Sequence, residues 1–344
     1  MPISFKDSLV VGISSRALFD LEEEDRIFKS EGVVAFRKYQ KEKEHERLKP
    51  GTAYHLVQAL LRLNDLSEER LVEVIVMSRN SPETGLRLLH SINDYGLDIT
   101  RSAFTGGEPL HPYIEAFDID LFLSKDEGDV QNVIDSGKSA AALIYEPPAT
   151  YTPDNSTVRI AFDADAVIFS DESEQIYKSE GLDAFHEHEH QHESDPLKDG
   201  PYAELLRKLS HIQKKMEMGV ELSPLRIAIV TARNSPSHLR LIETLRHWDV
   251  YVDEAFFLGG LSKDKVLKAF KAHIFFDDQD LHLKGASAVV PSGKVPYLSK
   301  SPLYVAKPNP TSLNGSSLKL CEIAKLPASD TAKDYKGDKA TKSI

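Results

Sequence analysis

The chain has one cysteine, Cys321, in 344 residues. No internal disulfide can form, and stability must come from burial and hydrogen bonding. Long apolar runs are absent too: none approaches the ~18 residues needed to span a bilayer. The segment Met1-Pro2-Ile3-Ser4-Phe5-Lys6-Asp7 lacks the apolar core of a secretory signal. Basic charge is in deficit, with a formal net charge of −12. That counts against nucleic acid, whose binders carry a basic face. It does not count against an anionic small molecule, since a bound cation inverts the local potential. These absences set the expectation of a soluble, cytoplasmic protein with no membrane or nucleic-acid partner. Whether copies assemble into a homo-oligomer is left open.

What is present is a repeat. Ile27-Phe28-Lys29-Ser30-Glu31-Gly32 returns as Ile176-Tyr177-Lys178-Ser179-Glu180-Gly181. Arg79-Asn80-Ser81-Pro82 returns as Arg233-Asn234-Ser235-Pro236, Leu86-Arg87-Leu88 as Leu239-Arg240-Leu241, and Gly106-Gly107 as Gly259-Gly260. The separation drifts only from 149 residues (Ile27 to Ile176) to 154 (Arg79 to Arg233). A period that long is a duplicated domain, not a solenoid of units of roughly 20–50 residues. The length suits about two domains, each able to bury its own core.

Each half alternates short apolar segments with helical patterns, which implies βαβ units and a mostly parallel sheet. Strands are expected near 8–13, 71–77, 99–104, 119–123 and 140–145, and again near 158–162, 225–230, 252–257, 273–276 and 286–290. Two helices, near 172–190 and 200–218, fill the long gap after the first strand of the second half and predict a cap over the strand ends. The domains are therefore 1–150 and 151–298, the latter with an insertion at about 171–222. The boundary falls in the Pro- and Thr-rich 146–156, and the polar stretch 299–344 is an expected flexible tail.

The chemistry lies where these apolar segments stop. Arg159-Ile160-Ala161-Phe162-Asp163-Ala164-Asp165 puts two carboxylates two residues apart at the end of a strand. With a period of two, both can point into one crevice, where open α/β sheets place ligands. Thr231 ends the next apolar segment, Lys263 opens a helix, and Asp277-Asp278 follow His273-Ile274-Phe275-Phe276. The repeat places Ser14, Arg16, Met77, Leu110, Ser124 and Lys125 opposite Asp163, Asp165, Thr231, Lys263, Asp277 and Asp278. Every candidate reactive group is thus confined to the second half.

Asp163-Ala164-Asp165-Ala166-Val167, Thr231, Lys263 and Asp277-Asp278 resemble the four ordered motifs of the haloacid dehalogenase-like phosphatases. The longer run from Ala161 to Glu174, with Phe275-Phe276-Asp277-Asp278-Gln279, is similar to the cytosolic 5'-nucleotidase type I family. So are Ser15-Arg16-Ala17-Leu18-Phe19-Asp20 and Thr105-Gly106-Gly107 in the first half. The resemblance covers roughly residues 8–297. It implies an α/β fold of two tandem Rossmann-like domains, the first degenerate, and magnesium-dependent hydrolysis of nucleoside 5'-monophosphates, AMP or deoxynucleotides being favoured. In that scheme Asp163 is the nucleophile and Asp165 the general acid and base. Thr231 and Lys263 hold the phosphoryl oxygens. Mg²⁺ is held by Asp163, the backbone carbonyl of Asp165, and Asp277, with Asp278 beside or behind them.

Other roles compete for several of these residues. Arg233 and Asn234 are candidate substrate contacts, but their repetition at Arg79 and Asn80 equally suits a structural turn. Phe185 is a candidate base-stacking residue, and its partner Phe36 equally suits a core role. His186-Glu187-His188-Glu189-His190-Gln191-His192 contains two His-Glu-x-x-His patterns, the mark of zinc proteases. The first half has no histidines there and no third ligand follows, so a hydrated helix face is expected. The rival functions are a phosphatase of another small phosphate ester and a nucleotide-sensing binding module.

Overall fold

The computed structural model describes residues 5–154, 156–216 and 222–306. Cys321 and most of the expected tail lie outside them. The strands of the first half are β1 (Leu9–Ser14), β2 (Phe19–Asp20), β3 (Lys49–Pro50), β4 (Val72–Ser78), β5 (Arg101–Phe104), β6 (Leu121–Ser124) and β7 (Ala140–Ile144). Those of the second are β8 (Val158–Phe162), β9 (Leu225–Thr231), β10 (Glu254–Phe257), β11 (Ile274–Asp277) and β12 (Ser292–Lys294). All but β2 and β3 join one sheet in the order β10-β9-β8-β11-β12-β7-β6-β1-β4-β5. Neighbours run parallel except at the centre, where β12 meets β7 antiparallel, Gly293 opposite Ile144. Outward from that seam, each half has its strands in the same order.

Helices cover both faces, and the strand sequences show it. Ile160, Phe162, Ile227, Ile229, Ile274 and Phe276 pack into the main core. Ala161, Ala228, Val230 and Phe275, one residue out of phase with them, pack into a second cluster with Leu267, Phe270 and Leu283. Alternate residues of a strand face opposite ways. A parallel sheet covered on both sides therefore reads as a continuous apolar run. Among the described residues no helix is long and apolar enough to cross a membrane.

Three expected elements are corrected, the helix 200–218 among them. The segment 286–290 is not a strand. Ala286 ends the helix Asp280–Ala286, and the amides of Val289 and Val290 both bond Ala286 O at 2.9 Å. The strand is the next segment, Ser292–Lys294, which carries no apolar signal because space forbids one. A Cβ on Gly293 would lie 2.9 Å from the Ala142 Cβ. The expected helix at 172–190 is two, Glu172–Glu180 and Leu182–Gln191, broken at Gly181 with φ 91°. Its repeat partner Gly32 has φ 84° at the same kind of break. Glycine reaches this conformation without the Cβ penalty of other residues.

The excursion carrying these two helices is closed at its base. Phe169 bridges Asp199 in antiparallel fashion, Gly200 N bonds Ile168 O at 2.9 Å, and Tyr202 N bonds Val167 O at 2.9 Å. Gly200 is obligatory, since a Cβ there would stand 2.2 Å from Phe169 O. The first half has its counterpart where β2 pairs with β3. The helix Ala203–Lys215 then leads back to the sheet, in place of the longer 200–218, whose last two positions lie outside the described residues.

Candidate active site

β8 lies between β9 and β11, so the residues ending these three strands share one crevice. Asp163 follows β8, Thr231 ends β9 and Asp277 ends β11. Asp163 is fixed by its own backbone, its amide bonding Phe276 O at 2.8 Å and its Oδ1 accepting from Ala164 N at 2.7 Å. The chain then turns away through Ala166, at φ 59°.

Lys263 ties the crevice together. Its Nζ lies 2.8 Å from Asp163 Oδ2 and 2.7 Å from Asp277 Oδ2, with all three residues almost fully buried. Its neighbours Lys265 and Lys268 are exposed, so burial singles out the one lysine. Burial works against the ammonium, but Asp163 and Asp277 outweigh it and push Lys263 up to about 12. Asp163 is itself raised to about 7, first by burial and then by Asp277, against the pull of Lys263. Burial also acts to raise Asp277, yet Lys263 and His282 bring it below the ordinary carboxylate range. His282 Nδ1 lies 3.2 Å from Asp277 Oδ2, so Asp163, Asp277 and His282 present ligand atoms close enough to share one metal ion.

The expected site residues divide into groups. Asp163, Lys263 and Asp277 are brought together. Asp278 is buried next to them and raised well above the usual range by burial, then by Glu174, Asp277 and Asp163. Thr231, also buried, accepts from Arg233 N at 3.1 Å through Oγ1, which fixes the turn after β9. Asp165 points to Arg233, whose Nη2 and Nε donate to Oδ1 at 2.6 Å and Oδ2 at 2.9 Å. Arg233 is 3 % exposed. It also pairs with Glu189, donates to Ser173 Oγ at 3.0 Å, and lies over the Phe185 ring at 5.4 Å. That ring face is therefore occupied by the guanidinium. Asn234 is exposed on the same turn, beside Gly259.

Sequence reasoning missed the acids and bases around these groups. Glu189 is buried and joins Arg233 to Arg240, whose Nη1 lies 3.1 Å away. Its signal was masked by the histidine run. That run holds no metal cluster among the described residues. The His188 and His192 rings lie 4.4 Å apart, tilted at 31°, but no third ligand joins them. Tyr297 and His282 had no motif to announce them, and Glu174 had no assigned role although it ends the run from Ala161 to Glu174.

In the first half the equivalent crevice is filled by internal ion pairs. Ser14 caps the turn after β1, accepting from Ala17 N at 3.3 Å. Arg16 pairs with Glu22 at 3.0 Å and Asp25 at 3.1 Å. Lys125 pairs with Glu22 at 2.9 Å and Glu146 at 2.7 Å.

The fold is thus a mostly parallel α/β sheet with a buried Asp–Lys–Asp cluster at its strand ends. The chain belongs to the 5'-nucleotidase family, whose profile matches residues 1–302. It is 38% identical over 290 residues to cytosolic 5'-nucleotidase 1B of Homo sapiens, an alignment covering 82% of this chain and 47% of that one. The chain thus spans about half the length of that relative. No solved structure matches it.

Proposed function

We propose that the protein is a magnesium-dependent 5'-nucleotidase, hydrolysing nucleoside 5'-monophosphates, AMP or deoxynucleotides preferred, in the cytoplasm. Membership of the family supports the reaction, and the name of the human relative supports the compartment. The observation that carries the reading is Lys263 lying within 2.8 Å of both Asp163 and Asp277 at adjacent strand ends.

The donor set suits Mg²⁺. Asp163, the backbone carbonyl of Asp165 and Asp277 are hard oxygens, with Asp278 and His282 beside them. When bound, the ion adds positive charge against the phosphoryl oxygens. In our reading Asp163 attacks phosphorus, the bond to the ribose 5'-oxygen breaks, and an aspartyl-phosphate forms. Asp165 gives the leaving oxygen its proton, then takes one from the water that releases phosphate. Both oxygens of Asp165 are engaged by Arg233, so the pair must part at one oxygen and that oxygen must take up a proton from solvent before the transfer. Lys263 and Thr231 hold the phosphoryl oxygens, and Asn234, exposed on the turn, contacts the rest of the nucleotide.

We read the two halves as a duplication in which the first lost its chemistry and the excursion over β8 became a cap. The matching strand order and the paired kinks at Gly32 and Gly181 support this. A phosphate-release screen across nucleoside monophosphates and sugar phosphates, with and without Mg²⁺, tests the function. Turnover confined to non-nucleotide esters would favour a different phosphatase, and nucleotide binding without turnover would favour a sensing module.

A further inference from the structure

Glu174 and Asp278 are buried acids that meet at one hydroxyl, Tyr297 OH. Glu174 is 5 % exposed and Asp278 2 %. Tyr297 OH contacts both, reaching Glu174 Oε1 at 2.9 Å and bonding Asp278 Oδ2. One hydroxyl carries one hydrogen, so it satisfies one of these contacts at a time. Glu174 Oε1 also receives Gln279 Nε2 at 2.9 Å and Lys178 Nζ at 2.6 Å. Yet Glu174 Oε2 and Asp278 Oδ1 are buried with no hydrogen-bond partner among the described residues. A buried carboxylate oxygen without a partner is costly.

The charge count runs the same way. Asp163, Asp277, Asp278 and Glu174 are four buried acidic side chains, met by two ammonium groups, Lys263 and Lys178, and by the His282 imidazole on Asp277. With all four ionised, the two ammonium groups leave two negative charges over, the charge of one divalent ion. The neighbouring cluster of Asp165, Glu189, Arg233 and Arg240 balances by itself. In the first half the corresponding acid has two cations. Asp25, at the repeat position of Glu174, pairs with both Lys29 at 2.6 Å and Arg16 at 3.1 Å. At the position of Asp278 stands Lys125, itself a cation. Where the first half supplies positive charge from its own side chains, the second leaves two oxygens open.

We propose that Glu174 is a positioning residue of the metal site: with Asp278, and bridged by Tyr297, it holds the water shell of the divalent ion. The inference rests on the magnesium reading above. Neither residue belongs to the close group of Asp163, Asp277 and His282, so both act from outside the ion's direct ligands. Mg²⁺ keeps several waters when bound, and such waters need acceptors. Because Glu174 rides on the helix Glu172–Glu180, ion binding would also fasten that helix over the strand ends.

The test is Mg²⁺ titration of the full chain by calorimetry, with hydrogen exchange of 172–180 followed in parallel. Glu174→Gln should weaken Mg²⁺ binding roughly 10- to 100-fold, the usual effect of losing an outer partner of a metal site. Glu180→Gln, an exposed change on the same helix, should leave it unaltered. Mg²⁺ should slow exchange of 172–180 in the wild type and not in Glu174→Gln. A folded Glu174→Gln that binds Mg²⁺ as tightly as wild type overturns the proposal and leaves the magnesium reading standing. Wild-type protein that binds no Mg²⁺ overturns both. If Glu174→Gln does not fold, Glu174→Asp decides: it keeps the charge but withdraws the carboxylate by one methylene. It should weaken binding, and parity with wild type rejects the role.

Discussion

Arg233 holds Asp165 by both oxygens, at 2.6 and 2.9 Å, from a guanidinium that is 3 % exposed. The same side chain pairs with Glu189 of the helix Leu182–Gln191 and bonds Ser173 of the helix Glu172–Glu180. One arginine thus fixes the proposed general acid and locks both helices of the excursion to the turn after β9. Sequence left an even choice between substrate contact and structural turn; in the structure the side chain is buried and bound to Asp165, Glu189 and Ser173.

Arg233→Ala should therefore destabilise the fold by about 3–5 kcal/mol, because it strands Glu189 and Asp165 without their partner. Arg233→Lys should recover part of that stability but not the two-oxygen grip on Asp165. In both, kcat should fall at least tenfold, with a smaller change in KM. Urea unfolding and steady-state kinetics measure the two effects. A variant with normal kcat would mean that Asp165 needs no fixed orientation.

Asp163→Asn should abolish turnover and phosphoenzyme formation while the protein stays folded. Without metal it should also change the pH dependence of stability. The folded carboxyl takes its proton near 7, because burial and Asp277 raise it, whereas the unfolded one does so near ~3.9. Between these values the folded state binds more protons. The cost of the buried charge is therefore full above pH 7 and fades as pH falls. Metal-free wild type should gain roughly 2–3 kcal/mol relative to Asp163→Asn between pH 8 and 5. A constant difference across that range would refute the raised carboxyl.

His273 should act in the opposite direction. Its Nδ1 accepts from Arg159 N at 3.1 Å and its Nε2 faces Asp154 O at 3.0 Å, with the ring 1 % exposed. Burial lowers it to about 4. Above ~6.5 neither state is protonated and it contributes nothing. Between 6.5 and 4 the unfolded state takes up the proton, so stability falls with pH, by up to about 3 kcal/mol relative to His273→Gln. An imidazole titrating near 6.5 by NMR would contradict this.

Activity should require Mg²⁺, return on its addition after EDTA, and survive a zinc-selective chelator. His188→Ala and His192→Ala should retain wild-type kcat, since the pair has no third ligand among the described residues. Loss of activity in either variant, restored by zinc, would move the metal to the histidine run.

The sequence by itself determined the α/β class, the repeat and the strand ends that carry Asp163, Thr231 and Asp277. It could do so because strand burial leaves apolar runs, and a reactive carboxylate stands out where such a run stops. It also placed Lys263 among the candidates, but only burial separated it from Lys265 and Lys268. The strand Ser292–Lys294 stayed hidden because Gly293 answers to Ala142 and Phe276, side chains brought beside it only by folding. Glu174, Glu189, Tyr297 and His282 stayed hidden for a related reason. Their spacing follows no local period, and their importance comes from charges on distant segments that meet in a space without water. Local patterning fixes which residues face inward; which inward-facing charges become partners is decided by the tertiary fold, where an unpaired buried charge is costly.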